Sequence, residues 1–266
     1  MTIAILGAGV MGSTLVSALL RAGRDPADIV ISDKLDARTE QVAAQHGVRG
    51  LSQAEALDGA DIVVLAVKPQ DMTALLKDYG DLIGADALVL SIAAGISTDF
   101  LERRLAEGVS VVRAMPNTAA LVDEAMSVLS RGRHCTDEQL HEAEVLLGAV
   151  GRVVTLDEQH MDAVTAISGS GPAYIFFVVE AMIEAGVLLG LPRATASELT
   201  VQTLYGAATM MRETGQHPTV LREQVSSPGG TSVAALRELE DHKVRAAFLT
   251  AIEAAAHRSA ELSAAD

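Results

Sequence analysis

Gly7, Gly9 and Gly12 stand in GAGVMG at the G-x-G-x-x-G spacing, directly after the uncharged apolar run Thr2 to Leu6. Each glycine has a separate physical task. Gly7 lets the chain turn off a strand, Gly9 keeps a Cβ out of the place a pyrophosphate would take, and Gly12 lets the next helix, Val10 to Ala22, pack close to a sheet. The helix start adds N–H groups and the positive end of a dipole, so the chemistry offered is dinucleotide binding. The plain alternative is a tight turn. Asp33 follows the strand Asp28 to Ser32, where such folds set an acidic residue on the ribose 2′-hydroxyl, which favours NADH. Lys34 beside it and Arg38 one turn further could meet the extra phosphate of NADPH. A solvated loop would explain all three as well, and the residues leave the choice of cofactor open.

Further strand ends carry small or polar groups at what would be the same sheet edge. Ala66, Val67, Lys68 and Pro69 end the run Asp61 to Val67. Ala94 of AAG follows the strand Ala87 to Ile92, and Met115, Pro116 and Asn117 follow Ser110 to Ala114. Open α/β sheets bind ligands at that edge. In the second half, SGSGPAY (168–174) and SSPGGTSVAAL (226–236) each place Ser, Gly and Pro ahead of a helix. Ordinary helix caps would explain them. Stacked N–H groups, paired glycines and free hydroxyls also make a carboxylate site without a fixed positive charge.

The elements that would hold these groups fall into two halves. To residue 155, short apolar strands alternate with helices, including a capping box at Thr136 and Gln139, which predicts a doubly wound parallel sheet of Rossmann type. Met126 to Ser130 and Val153 to Leu156 read as its last strands. From 156 to 266 the strand signal stops, and Ala-, Leu- and Glu-rich stretches at 172–189, 193–214 and 243–262 predict an all-α domain. Several are apolar on more than one face and poor in aromatics, so a second copy of the chain is the expected covering.

Bulk properties narrow the function. The 266 residues include 49% hydrophobic ones, enough for one large or two modest cores. The balance of 20 basic to 35 acidic residues, a formal charge of −15, argues against nucleic acid or an anionic membrane as partner. The apolar stretch Ile175 to Leu191 is interrupted by Glu180 and Glu184 and reads as a core helix, with no membrane span expected. Cys135 is the sole cysteine, no Cys or His cluster has metal-ligand spacing, and the N-terminus enters a strand directly. A cytoplasmic protein without a metal is expected.

GAGVMG, AVKPQ, MPN, DAVTAISGSGPAY and SSPGGTSVAALRELE, in this order and spacing, resemble the pyrroline-5-carboxylate reductase family over essentially the whole chain. The resemblance implies reduction of a cyclic imino acid to L-proline with NADPH or NADH. It also implies a Rossmann domain, a helical dimerisation domain, and dimers that assemble into rings. Carried over by motif, cofactor contacts fall on Leu6, Gly7, Ala8, Gly9, Val10 and Met11, on the loop around Asp33 and Lys34, on Ala66 to Pro69, and on Ala94, with Asn117 added at the edge. Substrate contacts fall on Glu158, Thr231 and Ser232. Gly229 and Gly230 are expected to join them through N–H groups, with Ser232 as the catalytic hydroxyl. Two positions depart from the family: Ser232 replaces the usual threonine, losing a methyl that restricts its rotamer, and Ala119 replaces a proline.

The residues favour an imine substrate on independent grounds. A ketone needs a proton donor for the developing alkoxide, often Lys or His, whereas a protonated imine leaves a neutral amine. After residue 156 the only lysine is Lys243, in a charged turn. The β-hydroxyacid dehydrogenases resemble a pattern with a lysine in the helix that here reads AYIFFVVEAM. A reductase of another imine and a redox-sensing module that holds NAD(P) without turnover remain as alternatives.

Overall fold

The computed structural model describes residues 1–264. It opens with β1 (Ile3–Leu6), α1 (Val10–Arg21), β2 (Ile29–Ser32), α2 (Asp36–His46), the short β3 (Arg49–Gly50), α3 (Gln53–Leu57), β4 (Ile62–Leu65) and α4 (Pro69–Tyr79). There follow β5 (Leu88–Ser91), α5 (Thr98–Glu102), β6 (Ser110–Met115), β7 (Ala125–Arg131), α6 (Asp137–Gly148), β8 (Gly151–Thr155) and α7 (Met161–Val164). The eight strands form one sheet in the order β3-β2-β1-β4-β5-β6-β7-β8. IAIL, IVIS, IVVL and LVLS are buried at every position. Their alternate residues feed opposite faces: Ile3, Ile5, Ile62 and Val64 enter one core, and Ala4, Leu6, Val63 and Leu65 the other. The strand order reverses between β1 and β4, the place where such sheets open a ligand crevice.

The sheet is not parallel throughout. β7 pairs antiparallel with β6, and β8 runs parallel to β7. The link between β6 and β7 holds only a 3-10 turn at Thr118–Val122, whereas a parallel return needs a crossover of about a dozen residues or more. The Thr136 and Gln139 capping box is present.

The chain divides into two compact units, one of Met1–Ser170 with the chain from Ala255 onward, the other Gly171–Ala254. The expected boundary at 155 lies at the end of β8, but the next residues belong with the sheet. Met161 and Val164 of α7 bury against Val128, and Asp162 Oδ1 accepts the Ser259 hydroxyl at 2.7 Å. The helical unit contains α8 (Gly171–Leu188), α9 (Arg193–Thr214), α10 (Pro218–Gln224), α11 (Thr231–Asp241) and the start of α12 (Val244–Ala264). α8 and α9 approach through small residues, since a Cβ on Gly186 would lie 2.9 Å from the Ala196 Cβ.

Candidate functional site

β1 delivers the chain to Gly7 at φ +118°, and its N–H donates to the Ser32 carbonyl at 2.7 Å. A Cβ there would stand 2.5 Å from the Ala66 carbonyl oxygen, so the turn closes only with glycine. A Cβ at Gly12 would stand 1.9 Å from the Gly7 carbonyl oxygen. Gly9 differs from both. It is the extended N-cap of α1, offers no side-chain cap, and a Cβ built on it meets nothing within 4 Å. An uncapped helix start with open space beside Gly9 is what a pyrophosphate requires. Leu6 and Ala8 are buried, Met11 is half-buried and Val10 is exposed.

Beside this turn lies a groove of about 460 Å³ whose lining includes Gly7, Gly9, Asp33, Lys34, Arg38 and Lys68. It sits at the C-terminal ends of β1, β2 and β4. Asp33 closes its wall in an unexpected way: Oδ2 accepts the Ala8 N–H at 2.8 Å and Oδ1 the Leu35 N–H at 3.0 Å. Its carboxylate ties the loop after β2 to the glycine turn. Lys34 Nζ pairs with Asp71 Oδ1 at 2.9 Å, from the first turn of α4. Ala66, Val67 and Pro69 are half-buried and Lys68 is exposed as the N-cap of α4. Ala94 is exposed just past β5.

Asn117 follows β6, but both ends of its amide are engaged. Oδ1 accepts the Ala119 N–H at 3.2 Å, and Nδ2 donates to the Ser168 carbonyl at 3.0 Å. The second bond has a chain-local cause. Pro172 has no N–H to return to the Ser168 carbonyl one turn earlier in the helix, and Asn117 satisfies it instead.

SGSGPAY carries the start of α8 at Gly171, with Pro172 in its first turn. It lies inside a helical run from Glu158 to Leu188, with a π-turn at Thr165–Gly169 where the Ser170 N–H donates to Thr165 O at 2.8 Å. Ser168 Oγ donates to Val164 O at 3.1 Å. The Ser168 hydroxyl is thus spent within the helix and its carbonyl on Asn117. SSPGGTSVAAL is the contrary case. Gly229 takes φ +69°, and Gly230 is the extended N-cap of α11 with no side-chain cap. Thr231 and Ser232 open the helix, one exposed and the other half-buried.

Glu158 belongs to the sheet unit, and Gly229 to Ser232 to the helical unit. Glu158 is held from three directions: the Thr98 N–H donates to Oε1 at 2.8 Å, the Thr98 hydroxyl donates to Oε2, and Arg113 Nη1 lies 3.0 Å from Oε1. The Arg113 side chain is only 6% exposed. Sequence reasoning passed over both partners, although one charged residue in the otherwise apolar strand SVVRAM is a signal, because a buried charge needs a counterion.

Residues 158–262 match the family model for pyrroline-5-carboxylate reductase dimerisation, and residues 2–95 match that for NADP oxidoreductase, coenzyme F420-dependent. A pyrroline-5-carboxylate reductase of Corynebacterium melassecola is 46% identical over 265 residues, covering 98% of both chains. The structure of a pyrroline-5-carboxylate reductase from Coxiella burnetii superposes with a TM-score of 0.91 at 36% identity, over 98% of each chain. That of the Plasmodium falciparum pyrroline carboxylate reductase, with NADP bound, gives 0.86 at 27% identity, over 99% of this chain and 98% of the other.

Proposed function

The chain belongs to the pyrroline-5-carboxylate reductase family and reduces 1-pyrroline-5-carboxylate to L-proline, and on this premise we propose how its residues divide the work. The observation that carries the reading is a pair of glycine-preceded helix starts without side-chain caps, at α1 and at α11. The nicotinamide nucleotide supplies the hydride. Gly9, Val10 and Met11 hold its pyrophosphate, the loop around Lys34 and Arg38 its adenosine end, and Ala66 to Pro69 with Ala94 the remainder. The open space at Gly9 fits that group.

In the helical unit, Gly229 and Thr231 present backbone N–H groups to the substrate carboxylate at the positive end of α11, and the Ser232 hydroxyl hydrogen-bonds the ring nitrogen; Gly230, expected to join them, instead donates its N–H to the Ser227 carbonyl at 2.9 Å and shapes the turn. The anion is thus held without a lysine or arginine, and the imine arrives protonated or takes a proton from water, so no side chain serves as general acid. In the sheet unit, Glu158, its carboxylate fixed by Thr98 and Arg113, is a further proposed substrate contact. Asn117 acts through the backbone it braces. Ser232→Ala is expected to lower kcat/KM about ten- to a hundredfold, the loss of one charge-assisted hydrogen bond worth ~1.5–3 kcal/mol. Activity within about twofold of the parent protein would remove Ser232 from the site.

The proposed assembly is a homodimer through the helical half. The run Glu158–Leu188 is long and apolar enough by composition to cross a membrane, but Glu180 and Glu184 interrupt it and the dimerisation model covers it. We read it as a protein interface. A cytoplasmic location, and no nucleic-acid partner for a chain of charge −15, complete the proposal.

A further inference from the structure

Six charged residues line the groove beside the glycine turn: Asp33, Lys34, Arg38, Lys68, Asp71 and Asp78. In a dinucleotide fold the side chains just after β2 meet the adenosine ribose, and the acidic one ordinarily takes the 2′-hydroxyl. Here that residue has a second task. Both oxygens of Asp33 accept backbone N–H groups, from Ala8 at 2.8 Å and Leu35 at 3.0 Å, so its carboxylate is a strut between two loops. The next residue, Lys34, reaches across to α4 and pairs with Asp71 at 2.9 Å. The pair stands at the open side of the groove, with side chains 63% and 34% exposed.

We propose that Asp71 is a specificity-determining residue, a carboxylate that holds Lys34 away from a ribose 2′-phosphate and so weakens NADPH relative to NADH. This rests on the groove being the nucleotide site. A 2′-phosphate must share or break the Lys34–Asp71 pair to reach the ammonium, whereas a 2′-hydroxyl does not meet that cost. An exposed pair is weak, so the expected effect is a bias between the cofactors rather than exclusion of one. Arg38, an exposed cation of the same lining, lets the phosphate bind even with the pair intact.

The test is calorimetric binding of adenosine 2′,5′-bisphosphate and of 5′-AMP to the full chain, which separates recognition from turnover. Asp71→Asn should raise the affinity ratio of bisphosphate to AMP about three- to tenfold, while AMP binding itself stays within about twofold. In a Lys34→Met background the same Asp71→Asn change should move the ratio by less than about twofold, since no ammonium is left to release. An unchanged or lowered ratio in Asp71→Asn overturns the proposal. So does an equal rise in both backgrounds, which would make Asp71 a simple repulsive charge. Binding of neither nucleotide by the parent protein would overturn the groove's assignment along with it.

Discussion

Within one turn of GAGVMG, a side chain would meet nothing at Gly9 and the Gly7 carbonyl at 1.9 Å at Gly12. The two positions should therefore separate binding from folding. Gly9→Val is expected to fold with an unchanged melting temperature and to bind nucleotide about a hundredfold more weakly or worse, because the isopropyl group fills the place of the pyrophosphate. Gly12→Val is expected to lose the fold itself. Differential scanning calorimetry with nucleotide titration checks both, and full affinity in a folded Gly9→Val protein would contradict the site. The glycine tasks were legible in the sequence because they follow from backbone geometry alone. The Asp33 bonds were not, since which N–H groups a carboxylate accepts depends on how two loops meet. The same holds for Glu158, whose partners Thr98 and Arg113 come from distant parts of the chain.

At the scale of elements, β1, β2, β4 and β5 were legible because continuous apolar runs are buried on both faces of a sheet, whereas the exposed two-residue β3 carries no such run. Strand direction was not. The reversal at β7 is set by the length of the link after Met115, which periodicity does not report. The run from Glu158 to Leu188 teaches a related lesson. Ser, Gly and Pro in SGSGPAY are cap residues by type, and Pro172 does stand in the first turn of α8, but the chain enters that turn from the π-turn at Thr165–Gly169, with the amide of Asn117 on the Ser168 carbonyl. Asn117→Ala should leave the Ser168 carbonyl without that partner and cost about 1–2 kcal/mol, a fall in melting temperature of about 2–4 °C per kcal/mol for a domain of this size. An unchanged melting temperature would show that the π-turn does not depend on this bond.

For the molecule as a whole, the helical unit leaves apolar side chains in water. Phe176 is 67% exposed, Phe177 74%, Leu188 88% and Leu189 85%, and α8 contains no buried residue. Such a face marks a protein interface. Sedimentation velocity at micromolar concentration is expected to show a dimer or a larger assembly, and a stable monomer would refute the proposed interface. The sequence already held this in its aromatic-poor helices, though not which faces would lie open. The central claim is that this assembly delivers hydride to a cyclic imine held by its carboxylate. It is tested most directly by steady-state oxidation of NADPH or NADH by the purified protein with 1-pyrroline-5-carboxylate, set against the six-membered homologue piperideine-6-carboxylate. The expected result is sustained turnover with stoichiometric L-proline and a higher kcat/KM for the five-membered ring. Cofactor binding without turnover, or preference for the six-membered ring, would contradict it.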